Sequence, residues 1–171
     1  TDVVMSINLS PMQFRRNDLH KTIAMALEKT GLPGKNLELE LTESLFVDDT
    51  EMVGEMLTKI NEMGVLMSID DFGTGYSNLS YLRRLPVQQL KIDQSFVRNM
   101  DHNNEALINV IIQMAENFSL ISIAEGIEDE DTMKRLRDMG CQRGQGYYWD
   151  RPLTADCFEE KYVVQGQQLA A

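Results

Sequence analysis

The sequence has no apolar run near the ~20 residues that a membrane-spanning helix needs. It contains only two cysteines, Cys141 and Cys157, which are too few for a disulfide framework and lack the spacing of a zinc site. Basic residues are scarce as well: 16 Lys and Arg stand against 27 Asp and Glu, so the formal net charge is −11. Because a surface that binds a DNA or RNA polymer needs clustered Lys and Arg, this composition argues against one.

The remaining composition is that of a globular protein. Of the 171 residues, 43% are hydrophobic and 25% are charged, which fits one domain with its own core. No linker rich in Pro or Ser divides the chain, so we predict one domain over residues 1–164 and a flexible tail over residues 165–171. The scarcity of cysteine favours a cytoplasmic, reducing setting, with any anchor at the inner membrane supplied by upstream segments.

Short apolar runs alternate along the chain with longer stretches of helical period. The predicted strands cover residues 3–9, 37–42, 65–70, 89–92, 120–124 and 146–149. The predicted helices cover residues 18–30, the apolar stripe within 52–60, and residues 77–85, 106–118 and 132–139. This alternation predicts an α/β fold in which helices cover a parallel sheet.

Polar residues stand at or close to the end of every predicted strand. They are Asn8, Glu40, Glu43, Asp70, Asp71, Lys91, Asp93, Glu125, Glu128 and Gln145. In a (β/α) barrel the carboxyl ends of the strands converge on one mouth, so we expect these side chains to share it. Taken singly, each has a plainer interpretation, such as a strand exit for Asp70 and Asp71 or an ordinary surface lysine for Lys91.

Four of these residues, Asn8, Glu40, Asp70 and Asp71, offer oxygen ligands, with no histidine or cysteine among them. Such ligands favour Mg²⁺ or Mn²⁺, and Ca²⁺ is expected to substitute or to inhibit because it accepts the same ligands less strictly. Adjacent aspartates suit two cations about 3.5–4 Å apart, the arrangement used for in-line displacement at phosphorus. Lys91 adds one positive charge that can hold a water molecule or a phosphoryl oxygen.

Several spaced motifs in one order make the sequence resemble the EAL domain, a bacterial family of cyclic di-GMP phosphodiesterases that acts in second-messenger signalling. The motifs are Asn8-Leu9-Ser10, Glu40-Leu41-Thr42-Glu43-Ser44, Asp70-Asp71-Phe72-Gly73-Thr74-Gly75-Tyr76-Ser77, Lys91-Ile92-Asp93, Ala124-Glu125-Gly126-Ile127-Glu128 and Gln145-Gly146-Tyr147. The resemblance implies a TIM-type (β/α) barrel, with about six of eight strand–helix units present and the outer edges of the sheet open. It also implies hydrolysis of cyclic di-GMP to linear pGpG with Mg²⁺ or Mn²⁺.

The metal ligands that the resemblance implies are Asn8, Glu40 and Asp70 for a first cation, and Asp70 and Asp71 for a second one. A further glutamate ligand belongs to the Glu-Ala-Leu motif that gives the family its name, which lies upstream of the strand with Asn8. We expect this motif to be missing from the chain. Residues 1–171 alone should then hydrolyse the dinucleotide more slowly than a complete domain, because the cation is held less firmly.

The resemblance gives catalytic roles to Lys91, which matches the lysine that holds the attacking water or a phosphate oxygen, and to Glu125, which matches a general base or second-metal ligand. Glu43 matches a glutamate that anchors the loop over residues 71–77, which this family ties to metal binding and dimerisation. The matches that contact the substrate or support the site are Glu43, Asp93, Glu128 and Gln145.

Two alternatives to an enzyme stay open: a catalytically inactive receptor for cyclic di-GMP, and a module that binds a protein partner. Receptors that resemble this family usually lose several site residues, whereas the six main matches are all present here, so the enzyme is favoured. The expected partners are cyclic di-GMP, a second copy of the chain that forms a homodimer through the barrel, and upstream sensory or GGDEF domains.

Overall fold

The computed structural model of the chain describes residues 3–14, 18–46, 50–74, 82 and 84–164. Six strands form one sheet in the order β1-β2-β3-β4-β5-β6, and all neighbouring strands run parallel. The strands are β1 (Met5–Leu9), β2 (Leu37–Thr42), β3 (Leu66–Phe72), β4 (Gln89–Ile92), β5 (Ile121–Ala124) and β6 (Arg143–Gly144). The predicted α/β fold with a parallel sheet is confirmed.

Within the described residues, helices lie between most of these strands and after the last one. They are α1 (Pro11–Phe14), α2 (Leu19–Thr30), α3 (Thr50–Asn61), α4 (Gln94–Arg98), α5 (His102–Asn117), α6 (Glu130–Asp138) and α7 (Ala155–Phe158). Short 3₁₀ turns cover Gly34–Asn36 and Glu43–Phe46, and a π-helical segment covers Glu159–Val164. The helix predicted over 77–85 lies largely outside the described residues. The tail predicted over 165–171 lies wholly outside them. Within the described ranges, none of the helices has the length and apolar character to cross a membrane.

Two helices begin earlier than the hydrophobic periodicity predicts, because an aspartate caps each of them. Asp101 accepts hydrogen bonds from two backbone N–H groups at the start of α5, which begins at His102 rather than at residue 106. Asp129 accepts from the N–H of Thr132 at 2.7 Å, and α6 begins at Glu130. Capping extends a helix beyond its first core contact, so apolar spacing alone places the start too late.

The central strands separate an apolar face from a polar one, since successive side chains of a strand point to opposite faces. Apolar strand residues pack with helix residues in one hydrophobic core, which includes Leu39, Leu41, Met67, Ile69, Leu90, Ile92, Ile108 and Ile111. The buried polar residues of β2, β3 and β4 alternate with them and are Glu38, Glu40, Ser68, Asp70, Gln89 and Lys91. The helices pack against the apolar face, so the polar face is the inner, concave face expected of a barrel arc.

The arc is open at both edges, as predicted. Among the described residues, β1 pairs with β2 and β6 pairs with β5, and the two outer strands do not pair with each other. Four of the five residues of β1 are exposed, including the apolar Met5 and Ile7. An exposed strand edge of this kind is a template for pairing with further chain.

The sixth strand lies earlier than predicted. The sequence predicts a strand over 146–149, whereas the structure has β6 at Arg143–Gly144 and a turn over 146–149. Gly146 is pressed against Ile127, because a Cβ on Gly146 would lie 2.0 Å from the carbonyl oxygen of Ile127. The N–H of Tyr148 donates to that same oxygen at 3.0 Å. This close contact turns the chain away from the sheet, so the aromatic run that suggested a strand lies on the surface.

Candidate functional site

Four ionisable side chains from successive strands meet on the concave face. Glu40 lies in β2, Asp70 in β3 and Lys91 in β4, and Glu125 follows directly after β5. The first three side chains are buried and Glu125 is half-buried. Parallel strands end on the same side of a sheet, which explains the convergence. Glu40 and Asp70 thus share one side of the sheet, as the barrel-mouth prediction requires.

Lys91 connects three of the strand ends. Its Nζ lies 2.8 Å from Glu40 Oε1, 3.1 Å from Asp70 Oδ1 and 2.6 Å from Glu125 Oε1. The lysine side chain is only 4% exposed. An ammonium group has three N–H donors, so one buried cation faces three carboxylates. The site therefore carries excess negative charge.

The surroundings shift the pKa of both Lys91 and Glu125. Burial alone would lower the pKa of Lys91, but hydrogen bonds with Glu125 and Glu40 outweigh it and raise that pKa above its ordinary value. Burial raises the pKa of Glu125, Lys91 opposes this only in part, and the charges of Asp70 and Glu40 add to the rise. Lys91 is therefore a permanent cation at neutral pH, and Glu125 accepts a proton more readily than an exposed glutamate.

Asp71 stands next to Asp70 in a left-handed backbone conformation with φ of 53°. Burial, the charge of Asp70 and a hydrogen bond with Asp93 raise the pKa of Asp71. Burial would raise the pKa of Asp93 as well, but hydrogen bonds from Ser95 outweigh it and lower that pKa. Asp93 also caps α4, because it accepts from the N–H of Ser95 at 2.9 Å. The two carboxyl groups thus influence each other, and Asp93 loses its proton more readily than Asp71.

The oxygen atoms of Asp70, Asp71 and Glu125 lie within 4.8 Å of one another and form what we call the oxygen cluster. Asp70 Oδ1 is buried and has no hydrogen-bond donor in suitable geometry among the described residues, although Lys91 Nζ lies 3.1 Å away. That contact is an electrostatic attraction rather than a directed hydrogen bond, so the oxygen retains a lone pair for a cation. Hard oxygen ligands of this kind fit Mg²⁺, Mn²⁺ or Ca²⁺.

One predicted ligand, Glu40, does not belong to the oxygen cluster, and another, Asn8, stands on the strand next to Glu40. Asn8 of β1 is the register partner of Glu40 in β2, so the two side chains point to the same face. Asn8 is exposed, and the carboxylate of Glu40 is engaged by Lys91. A cation that recruits Glu40 competes with the lysine for this carboxylate or uses its second oxygen, Oε2. Their roles as ligands stay predictions.

The other predicted site residues lie around the rim of the mouth. Glu128 pairs with Arg98 at 3.2 Å, and both side chains are about half exposed. Gln145 lines a cavity of about 220 Å³ together with Glu125 and Glu128. Glu43 begins the 3₁₀ turn after β2. The loop that Glu43 is predicted to anchor, residues 71–77, lies within the described residues only up to residue 74.

Sequence reasoning did not identify an aromatic cavity next to Gln145. The cavity has a volume of about 540 Å³, and its lining includes Tyr147, Trp149, Phe158 and Tyr162. The guanidinium of Arg151 lies 4.7 Å from the centre of the Tyr147 ring, a cation–π contact that orients this side of the rim. The run of aromatic residues over 147–149 is the signal that could have revealed it.

A second polar contact beneath the site was also missed. Gln89 Nε2 donates a hydrogen bond to Glu38 Oε2 at 2.8 Å, and Arg143 Nη1 donates to Gln89 Oε1 at 2.7 Å. Gln89 stands two residues before Lys91, so strand alternation places both side chains on the concave face. The same alternation can be derived from the sequence, in which Gln89 stands at the start of its strand rather than at the end, where site residues are expected.

The expectation that the chain lacks the tripeptide Glu-Ala-Leu is wrong, because these letters occur at Glu105-Ala106-Leu107. Glu105 lies in α5, and its carboxylate pairs with Arg135 of α6 at 3.2 Å. This ion pair belongs to the layer of helices and not to the concave face. The tripeptide therefore does not supply the metal ligand that the family motif provides ahead of the strand with Asn8.

Comparison with known proteins agrees with this geometry. The family model described as EAL domain matches residues 1–152. MucR of Pseudomonas aeruginosa, a bifunctional diguanylate cyclase/cyclic di-GMP phosphodiesterase, is 38% identical over 154 residues, which cover 89% of this chain and 22% of MucR. The cyclic di-GMP phosphodiesterase NbdA of the same organism is 38% identical over 158 residues, or 91% of this chain and 20% of NbdA. The chain spans about a fifth of the length of the curated relatives it matches.

Solved structures show the same fold. The phosphodiesterase of P. aeruginosa MucR in complex with c-di-GMP has a TM-score of 0.87 at 37% identity, over 91% of this chain and 64% of that one. The EAL domain of Mycobacterium smegmatis DcpA has a TM-score of 0.88 at 37% identity, over 95% and 74%. A manganese and cyclic di-GMP complex of Klebsiella pneumoniae BlrP1 has a TM-score of 0.79 at 27% identity, over 87% and 39%. The six-stranded arc therefore belongs to a TIM-type barrel.

Proposed function

Because this chain belongs to the EAL domain family, we propose that it is a metal-dependent phosphodiesterase that hydrolyses cyclic di-GMP to linear pGpG. The observation that carries the proposal is the buried ammonium of Lys91, which three carboxylates hold beside the oxygen cluster. A fixed cation, a proton acceptor and oxygen ligands at one place are what hydrolysis of a phosphodiester needs. The names of the relatives MucR and NbdA support the same activity.

The oxygen cluster is the place for the divalent cations. Asp70, Asp71 and Glu125 would hold them, with Glu40 and Asn8 as further ligands from the neighbouring strands. When bound, Mg²⁺ or Mn²⁺ lowers the pKa of water and offsets the negative charge of the phosphate. We propose that Ca²⁺ substitutes without supporting turnover, because it accepts the same oxygens with a less strict geometry. Manganese and calcium complexes of BlrP1 support a divalent-cation site.

The side chains of this chain divide the chemistry between them. Lys91 is placed to donate a hydrogen bond to a phosphoryl oxygen, where negative charge grows in the transition state. Glu125, whose carboxylate lies 2.6 Å from Lys91 Nζ, would take a proton from the attacking water. The water oxygen bonds to phosphorus, the bond from phosphorus to the 3′ oxygen breaks, and a proton passes to that leaving oxygen. One water is consumed, and the ring opens to pGpG.

The activity is tested by measuring pGpG release from cyclic di-GMP with Mg²⁺ by the full-length protein. We expect Lys91→Ala to lower kcat by about 100-fold or more, with a smaller change in KM, because its charge acts mainly in the transition state. Lys134→Ala, which removes an exposed lysine of α6, is the matched control. Tight binding of the dinucleotide by the wild type without any pGpG release would replace the enzyme with the receptor.

We also propose a setting for the protein: the cytoplasm, a homodimer formed through the barrel, and sensory or GGDEF domains elsewhere in the same polypeptide. The relatives are about five times longer than the matched region, and the name of MucR combines cyclase and phosphodiesterase. Cys141 and Cys157 are both free thiols, which suits a reducing compartment. The division into a domain over 1–164 and a tail over 165–171 stays a prediction.

A further inference from the structure

The concave face carries a second polar layer beneath the acidic site, which we call the lower layer and which consists of Glu38, Gln89 and Arg143. The amide of Gln89 donates to Glu38 at 2.8 Å and accepts from Arg143 at 2.7 Å. A carboxylate only accepts hydrogen bonds and a guanidinium only donates them. The two partners therefore fix the orientation of the Gln89 amide, and the single side chain connects β2, β4 and β6.

The lower layer spans strands that are not neighbours. Glu38 in β2 and Gln89 in β4 have β3 between them, so their hydrogen bond crosses a strand separation of about 10 Å. Glu40 and Lys91 stand two residues further along the same two strands and cross the same separation with a 2.8 Å contact. The two contacts are thus consecutive cross-links between β2 and β4.

The two cross-links differ in whether they can stay in place when a ligand enters the site. Glu40 shares the ammonium of Lys91 with two other carboxylates, so a cation or a phosphate that enters the site competes with the upper contact. Glu38 and Gln89 are 6% and 3% exposed and belong to no part of the oxygen cluster. The lower contact can therefore stay in place while the upper one exchanges partners.

We propose that Gln89 is a positioning residue. By holding β2, β4 and β6 at a fixed spacing, the lower layer sets the separation between Glu40 and Lys91 above it, and so the affinity of the site for divalent cations. The effect on turnover rests on the proposed function. The effect on cation binding rests on the geometry of the acidic site, namely the oxygen cluster and the adjacent contact of Glu40 with Lys91, and not on turnover.

The test is calorimetric titration of the full-length protein with Mn²⁺, with Gln89→Met as the variant, because Met keeps the length of the side chain and removes both hydrogen bonds. We expect its Mn²⁺ affinity to fall by about tenfold, the lower end of the range for residues that support metal ligands. Gln88→Met is the matched control, since the Gln88 amide accepts from the N–H of Met67 at 2.9 Å and donates to Asn61 of α3 at 3.2 Å. We expect this control to lose stability in urea but to keep its Mn²⁺ affinity.

Kinetics supply a second measurement. If Gln89 positions the site, Gln89→Met raises the Mn²⁺ concentration needed for half-maximal pGpG release and leaves kcat at saturating Mn²⁺ close to that of the wild type. If the wild type releases no pGpG but binds Mn²⁺ more tightly than Gln89→Met, the proposed function fails and the positioning role stands.

Equal Mn²⁺ affinity in the wild type and Gln89→Met would overturn the proposal and leave Gln89 as a structural residue only. Should Gln89→Met fail to fold because Glu38 is left buried without its partner, the double variant Glu38→Leu/Gln89→Met removes both polar groups. A folded double variant with reduced Mn²⁺ affinity supports the proposal, and one with the affinity of the wild type overturns it.

Discussion

The centre and the edge of the sheet hold their polar side chains in different ways. In β2, near the centre, five of six residues are buried, whereas in the adjacent β1, at the edge, four of five are exposed. Glu40 and Asn8 are register partners across these two strands, yet Glu40 is held by a buried lysine whereas Asn8, at the open edge, is exposed to solvent. The firmness with which a side chain is held thus depends on the position of its strand in the sheet, and not only on the residue type.

The same contrast extends across the site. Lys91 and its three carboxylates sit on the central strands and the adjoining strand end, where every contact is at least partly shielded from water. The pair between Arg98 and Glu128 lies on the rim, with both side chains about half exposed. Charges attract more strongly where water is excluded. The centre should therefore dominate cation binding, stability and pH response, and the following variants compare it with the periphery.

The largest difference should come from cation binding. We expect Asp70→Asn to weaken Mn²⁺ binding by on the order of 100-fold or more, because it removes charge from the middle of the oxygen cluster. Asn8→Ala, on the edge strand, should weaken it by about tenfold or less. Both are measured by calorimetry on the full-length protein. An unchanged affinity in Asp70→Asn would show that Asp70 only serves the exit of β3 into a turn.

The second-largest difference should be in the free energy of unfolding, between variants in the centre of the sheet and variants at its edge. Leu41 in β2 is fully buried, and Leu41→Ala should lower the free energy of unfolding by about 2–5 kcal/mol. Ile7 in β1 is 45% exposed, and Ile7→Ala should lower it by less than about 1 kcal/mol. Urea unfolding followed by circular dichroism measures both. Equal losses would mean that the edge of the sheet is covered in solution.

A smaller effect concerns the pH dependence of stability without metal. Burial raises the pKa of Glu125 in the folded protein above its ordinary value of 4.5. The folded state then retains a proton that the unfolded state has lost, so the stability from this group falls as pH rises from 4.5 through the raised pKa. Glu125→Gln should flatten that decline in urea unfolding, and Glu116→Gln, on the exposed face of α5, should not. Saturating Mn²⁺ should oppose the decline, because binding requires deprotonated carboxylates.

The smallest effect is expected on the rim. Arg98→Ala removes the ion pair with Glu128, whose partners are about half exposed, so the free energy of unfolding should change by less than about 1 kcal/mol. The change should shrink further in high salt. Urea unfolding at low and high ionic strength provides the measurement. A loss as large as that of Leu41→Ala would mean that the rim is as rigid as the centre.

Much of the fold follows from local pattern. The bounds of β2 and β4 are predicted to the residue, because each strand is framed by turn-forming or polar residues and is followed by a helical pattern. The prediction of a strand over 146–149 is wrong. Aromatic residues favour strands locally, but the contact of Gly146 with Ile127 is a tertiary effect that local propensity does not contain.

The site divides in the same way. The sequence predicts which residues gather at the mouth, since parallel strands must end on one side. It does not reveal that Lys91 contacts three carboxylates at once, because that depends on the spacing and curvature of four strand ends. It does not reveal the orientation of Asp71 either, which depends on a single backbone angle.

That angle has a consequence for how the site works. In a regular strand, Asp70 and Asp71 would point to opposite faces, but a register shift between Ile69 and Phe72 and the left-handed backbone of Asp71 bring both carboxylates into one cluster. A left-handed residue with a side chain is disfavoured by about 1 kcal/mol. Cation affinity and the conformation of residue 71 are therefore one linked equilibrium. On the proposed assignment of the cations, a change that relaxes residue 71 weakens cation binding, and loss of the cation removes a restraint at the point where the chain leaves the sheet.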